Sequence, residues 1–336
     1  MFKFYKLLFF STMIIGTLVS ISSNSWMGMW MGLEINLLSI IPLMNNNKNA
    51  LSVEASLKYF ITQAIASTII LFSIIMMSLS FDIKWIESSY SLIFNSALLT
   101  KMGSAPFHFW FPEVMEGLNW FNCLILLTWQ KIAPMVLITY NFNMPLFFST
   151  IIILSMLVSG IMGLNQVSLR KILAFSSINH IAWMLASMFS METTWLLYFL
   201  VYTVISINII LIFKILNVFY ISQIFMALKK NILIKIFFMM NFLSLGGLPP
   251  FLGFFPKWIA IQGLIESKFF LLAFLMVILT LLTLYYYMRI IFSTLMINTL
   301  EINYCLDSKN NYFWIFLSNF ISLIGLVFCT MMFNLS

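Results

Sequence analysis

Apolar windows about twenty residues long follow one another through this chain with only short gaps, at 4–21, 25–44, 59–79, 89–110, 122–140, 147–165, 173–190, 195–216, 237–265, 269–293 and 312–333. A helix that crosses the hydrocarbon of a bilayer needs about 20 predominantly apolar residues. Eleven such windows leave little chain for anything else. Of the 336 residues 62% are hydrophobic and 8% charged, against roughly 25% charged in soluble domains. There is too little polar material to cover a surface facing water. Helix is the expected state, because lipid offers no partner to exposed backbone groups and the windows lack the alternation of barrel strands. The reading is an all-α polytopic membrane protein of about eleven transmembrane helices. The first window, with its basic start, has the form of a signal peptide. No small-residue cleavage site follows it, so it is kept as the first span.

Other chemistries find no support. Cys123, Cys305 and Cys329 are scattered, with no C-x-x-C pair and no metal-like spacing to the two histidines. No Walker loop, G-x-G-x-x-G or H-E-x-x-H motif is present. The chain is expected to hold no cofactor, no metal and no catalytic redox group. Its formal charge of +7 would suit a nucleic-acid binder, but the placement of the charges says otherwise. With the N-terminus on one face and eleven spans threaded, that face receives Lys3, Lys6, Lys48, Lys58, Arg170, Lys171, Lys214, Lys229, Lys230, Lys235, Arg289 and Lys309. The other face receives Lys84 and Lys268. Such an excess marks the cytoplasmic or matrix side.

Lys101, Lys131 and Lys257 remain, and each falls inside a window, as do Glu34 and His180. An ionisable side chain near mid-bilayer costs about 2.5–3.5 kcal/mol on insertion scales, which makes it a functional candidate. One lysine near a span end would be read as snorkelling; three near mid-span, with a carboxylate and an imidazole, would not. Glu34 suits a structural ion pair or a transport role, and His180 suits a satisfied polar contact or a proton chain. His108, between Phe107 and Phe109, is read as local structure. Burial disfavours the charged form of an amine and a nearby carboxylate favours it. A buried amine beside a carboxylate can therefore pass a proton, and H⁺ is the simplest cargo.

The windows around Lys101 and Lys257 are also broken. Gly103 and Pro106 interrupt the first; Gly246, Gly247, Pro249, Pro250, Gly253 and Pro256 interrupt the second. Proline removes a backbone donor and crowds the preceding turn. The pattern G-x-x-P-F occurs at 103–107 and again at 247–251, in spans four and nine, which cross in opposite directions. Discontinuous helices in inverted repeats give this signature, with unwound backbone lining a polar cavity. The expected organisation is one transmembrane domain: a first five-helix repeat over 1–145, its inverted mate over 146–295, and a loop and last helix over 296–336.

Four blocks, "WMGLEINLL", "KMGSAPFHFWFPEVMEG", "LRKILAFSSINHIAWM" and "GGLPPFLGFFPKW", resemble the antiporter-like membrane subunits of respiratory complex I. Within that family, the chain resembles the subunits encoded in animal mitochondrial DNA, which lack the first three of fourteen helices. The resemblance implies that Glu34 faces Lys101 on the first broken helix and that Lys131 is the central-axis lysine of the next helix. It implies that Lys257 is the lysine of the second broken helix and that His180 bridges the half-channels. It further implies a multi-pass protein of the mitochondrial inner membrane, translocating protons while FMN, iron–sulfur clusters and ubiquinone carry electrons in other subunits. The N-terminus is expected on the matrix side and the C-terminus on the intermembrane-space side. Expected partners are other membrane-arm subunits, neighbouring antiporter-like ones among them, and lipids such as cardiolipin; no nucleic acid is expected. The alternatives are a free-standing cation/proton antiporter, which would share the broken helices and lysines, and a scaffold, which would tolerate loss of the charges.

Overall fold

A computed structural model describes residues 4–45, 49–79, 84–191, 193–228 and 232–296, and positions 316, 319 and 320. The described residues are helical apart from turns and one isolated antiparallel bridge between Ser168 and Tyr220. Two units are distinguished, Met1–Ser155 and Met156–Ser336, and the boundary falls inside one helix.

The first unit contains α1 (Phe4–Ser22), α2 (Trp26–Met44), α3 (Ala50–Leu79), α4 (Lys84–Met102), α5 (Trp110–Gly117), α6 (Trp120–Leu127) and α7 (Trp129–Tyr140), and ends within α8 (Pro145–Leu164). Helices α1 and α2 approach so closely that a Cβ on Gly32 would collide with the Ser20 backbone, the small-residue packing that lipid-embedded helices use. The indole of Trp30 donates to the Ser67 carbonyl at 3.0 Å and ties α2 to α3. Outward positions are apolar, as at Leu18, Ile61, Ile65 and Phe72. This is the arrangement lipid demands.

The second unit contains α9 (Leu169–Ser187), α10 (Thr194–Leu216), α11 (Ile221–Leu228), α12 (Ile232–Gly246), α13 (Phe254–Glu266) and α14 (Phe270–Met296). Every residue of α9 except Arg170 and Lys171 is buried. Protein therefore surrounds this helix, which is why Ser176, Ser177, Asn179 and His180 can occupy it without facing lipid.

Among the described residues seven helical segments, α6 and α7 counted as one, are long and apolar enough to cross a membrane. The difference from eleven windows has physical causes. Windows four and nine are each split by an irregular stretch, and α9 is too polar to qualify although it is long enough. The eleventh window lies outside the described residues except for Phe316, Asn319 and Phe320. Three details differ from the sequence reading. Helix α3 begins at Ala50, so Lys58 is helical and not a loop residue. The fifth window is two helices jointed at Thr128. The short α11 falls between the eighth and ninth windows.

Candidate functional site

In the first unit α4 ends at Met102, and Gly103 takes φ +76°, with its N–H on the Leu99 carbonyl at 3.0 Å. Glycine adopts this left-handed turn without the penalty of a Cβ. A cis Ala105–Pro106 bond follows, and the chain re-enters helix at Trp110. Lys101 is buried in the last turn of α4, where helix carbonyls favour a cation. The break and the cation thus occur together because one creates the polar surroundings the other needs.

Lys101 lines a small cavity of about 10 Å³ with Asn36, Tyr59, Gln63 and Gln130, close to the room one water needs. These side chains form a chain of their own. Tyr59 donates to Gln130 Oε1 at 3.3 Å, and Gln130 Nε2 donates to Asn36 Oδ1 at 2.9 Å. Gln63 reaches the Lys101 carbonyl at 3.4 Å. Glu34 lies two residues before Asn36 on α2, half-buried, and makes no ion pair with Lys101 within 4 Å. Its Oε2 is buried without a hydrogen-bond partner among the described residues.

Lys131 is only 1% exposed and occupies the first turn of α7, just past the Thr128 joint. Its ammonium lies 5.9 Å from the ring centre of Phe111, and the same ring packs against Gly103, where a Cβ would come within 3.0 Å. Phe111 therefore touches both the first break and the second lysine. The joint has two causes. Pro134 offers no N–H to the Gln130 carbonyl and crowds it, and the Thr128 hydroxyl bonds back to Leu124 O at 2.7 Å, which bends helices. His108 sits within the break, its carbonyl accepting from Phe111 N at 2.9 Å and its ring beside Phe109.

The second unit repeats the backbone pattern. Helix α12 ends at Gly246, Gly247 takes φ +74°, a cis Pro249–Pro250 bond follows, and α13 starts after Gly253, which its close contact with Ser244 O keeps free of a side chain. Pro256 falls in the first turn of α13, where proline is tolerated. Lys257 lies ten residues beyond the left-handed glycine, whereas Lys101 lies two residues before its own, so the two lysines are not in matching register. The counterpart of Lys257 in the first unit is Glu113, which pairs with Lys58 at 2.8 Å. Lys257 turns back over the break and donates to Gly246 O at 2.8 Å and Leu245 O at 3.2 Å. It supplies partners to carbonyls that a helix end leaves open. Trp183 of α9 lies beneath it, 5.8 Å from ammonium to ring centre.

One turn before Trp183 on α9 is His180, whose Nδ1 is 2.9 Å from the Tyr198 hydroxyl and whose ring is 4.9 Å from that of Tyr202. Next to it, Asn179 donates to Thr283 at 3.3 Å. The structure thus gathers Glu34, Lys101 and, through Phe111, Lys131 in one unit, and His180 with Lys257 in the other. Sequence reading missed Asn36, Tyr59, Gln63, Gln130 and Tyr198. Their one signal is a polar side chain within an apolar window, weaker than a charge. Among the described residues no three His, Cys, Asp or Glu side chains come together as metal ligands.

The family model for NADH:quinone oxidoreductase/Mrp antiporter transmembrane proteins matches residues 23–283. The chain belongs to this family. The match spans both broken helices and Glu34, Lys101, Lys131, His180 and Lys257. Relatives named NADH-ubiquinone oxidoreductase chain 2 include that of Anopheles gambiae, 52% identical, and that of Aedes aegypti, 53% identical, each alignment covering 97% of both chains. The family resemblance read from the four sequence blocks is borne out. Among solved structures, a chain of respiratory complex I from Thermus thermophilus with bound aureothin superposes with a TM-score of 0.87 at 20% identity, covering 97% of this chain and 78% of that one. The fold of this NADH:quinone oxidoreductase/Mrp antiporter family member is therefore shared with a complex I subunit.

Proposed function

We propose that this chain is a proton-translocating core subunit of the membrane arm of NADH:ubiquinone oxidoreductase, resident in the mitochondrial inner membrane. It crosses eleven times as two inverted five-helix repeats and a last helix, with the N-terminus in the matrix and the C-terminus in the intermembrane space. Neighbouring antiporter-like subunits flank it. Electrons pass from NADH to ubiquinone in other subunits, and this chain moves H⁺.

The observation that carries this reading is a buried amine at each of two helix breaks built on left-handed glycines, Gly103 and Gly247. Lys257 shows what the break supplies: main-chain carbonyls, freed from the helix, that accept from the ammonium. Asn36, Tyr59, Gln63 and Gln130 give Lys101 polar surroundings with room for about one water. Glu34, two residues from Asn36 of this network, is the carboxylate whose change of charge alters proton occupancy at Lys101. Lys131 serves as a further proton carrier in the first unit, and His180, held by Tyr198 and one turn from the Trp183 that lies beneath Lys257, serves as one in the second.

Neutralising the equivalent of Lys101 or Lys257 in a bacterial complex should lower the protons pumped per NADH oxidised while the complex still assembles. Unchanged stoichiometry in both variants would sink the relay. Native electrophoresis separates this reading from a free-standing antiporter: the chain should co-migrate with a very large NADH-oxidising band and not run as a small oligomer.

A further inference from the structure

At the end of the second unit that carries most of its cations, a cavity of about 440 Å³ opens between the end of α8, the start of α11 and the last turns of α14. It is within the size range of small-ligand sites. Arg289 stands on its wall, with one guanidinium nitrogen fixed on the Leu164 carbonyl at 3.2 Å. Among the described residues Arg289 makes no ion pair with a carboxylate. A guanidinium has five donors, and the bond to Leu164 uses one. Ser222 adds a hydroxyl to the lining, the Ser293 hydroxyl donates to the Ile290 carbonyl at 2.8 Å, and Ile221 and Ile290 make it apolar. Val167 on the lining is exposed, as is Phe292, the neighbour in sequence of Ser293.

The place of this cavity is fixed from both sides. The Leu169 N–H bonds to Phe219 O at 3.0 Å and the Ile221 N–H to Val167 O at 3.2 Å, which pins the α8–α9 and α10–α11 connections together. These are the segments that the charge count puts on the basic face, with Lys171 and Lys214 nearby in sequence. A cation set in a cavity with polar and apolar walls, at a membrane surface, matches a ligand that is itself anionic at one end and apolar at the other.

We propose that this cavity binds the phosphate headgroup of an anionic phospholipid in the matrix leaflet, with Arg289 on the phosphate. The proposal deepens the membrane-arm reading above, on which its orientation rests. Guanidinium pairs with phosphate through two parallel hydrogen bonds, a geometry lysine cannot copy. Ser222 takes a remaining oxygen, and the isoleucines with Val167 and Phe292 receive the glycerol and first acyl carbons. A free phosphate ion would leave those apolar walls unused.

The test uses the intact complex in phosphatidylcholine nanodiscs that contain a photoactivatable phosphatidylglycerol. After irradiation, cross-links should fall on peptides carrying residues 221–228 and 286–293. Unlabelled phosphatidylglycerol should compete for them, and inorganic phosphate should not. Arg289→Gln should weaken labelling about tenfold, equivalent to about 1.4 kcal/mol, with Arg289→Lys falling between. Equal labelling by a zwitterionic probe, labelling unchanged in Arg289→Gln, or competition by inorganic phosphate would each overturn the proposal. The competition arm needs no variant, so a folding defect cannot mimic a result. Labelling is read on the resting complex, so a loss of proton pumping would bear on the function proposed above and not on this site.

Discussion

At the scale of single residues, Gly247 and Gly246 separate a structural glycine from a functional one. Gly247 has φ +74°, and a Cβ there would lie 2.6 Å from Lys257 Cδ. A Cβ on Gly246 would meet nothing nearer than 3.8 Å. Gly247→Ala must bear a left-handed backbone, roughly 1–2 kcal/mol, and must also push the lysine off the carbonyls it caps. We expect Gly247→Ala to lower the protons pumped per NADH severalfold, while Gly246→Ala stays near the parent value, both read in membrane vesicles. Equal values in the two variants would mean that the lysine's position does not matter. Lys101, Lys131 and Lys257 were legible in the sequence because a cation in an apolar window stands out whatever the fold. Tyr198 was not, because a tyrosine in such a window looks like core until the hydroxyl is seen 2.9 Å from His180. Tyr198→Phe should keep the ring packing and lose that bond. Lower pumping with undiminished assembly would give the hydroxyl a part in orienting the imidazole; pumping at the parent level would reduce it to packing.

At the scale of elements, the two glycine- and proline-rich breaks were readable because their residues are poor helix formers. The joint between α6 and α7 was not, because Pro134 sits beyond the turn that yields and Thr128 acts through its hydroxyl. Its place next to Lys131 gives all three buried lysines a neighbouring interruption of helix: Lys101 before one, Lys131 and Lys257 after one. Pro134→Ala restores the missing donor and relieves the clash, so the straight helix gains up to about 3 kcal/mol of helix preference. The expectation runs against stability: assembled complex should be undiminished on native gels, yet protons pumped per NADH should fall, because straightening turns Lys131 away from Phe111. Full pumping in this variant would show that the joint is incidental to the path.

For the whole molecule, the count of crossings depends on the helices that do not look like spans. Helices α12 and α13 have 15 and 13 residues, each too short to cross about 30 Å of hydrocarbon alone. Only the pair, joined through its break, has the length for one crossing. Helix α9 is long enough but carries Asn179 and His180, which protein and not lipid surrounds. Hydropathy reads the lipid-facing surface well and the enclosed polar interior poorly, so the broken and central helices are where a sequence-based count is weakest. Lys214, in the last turn of α10, and Lys268, after α13, are both exposed and are separated by the α12–α13 pair. If that pair crosses once, a membrane-impermeant amine reagent should modify Lys268 in sealed mitoplasts and Lys214 in inverted inner-membrane vesicles. Modification of both from one side would mean that the broken helix re-enters without crossing, and the inverted-repeat arrangement would fall. The reverse assignment would keep the crossing but place the cation-rich face, with Arg289 and its cavity, in the intermembrane space.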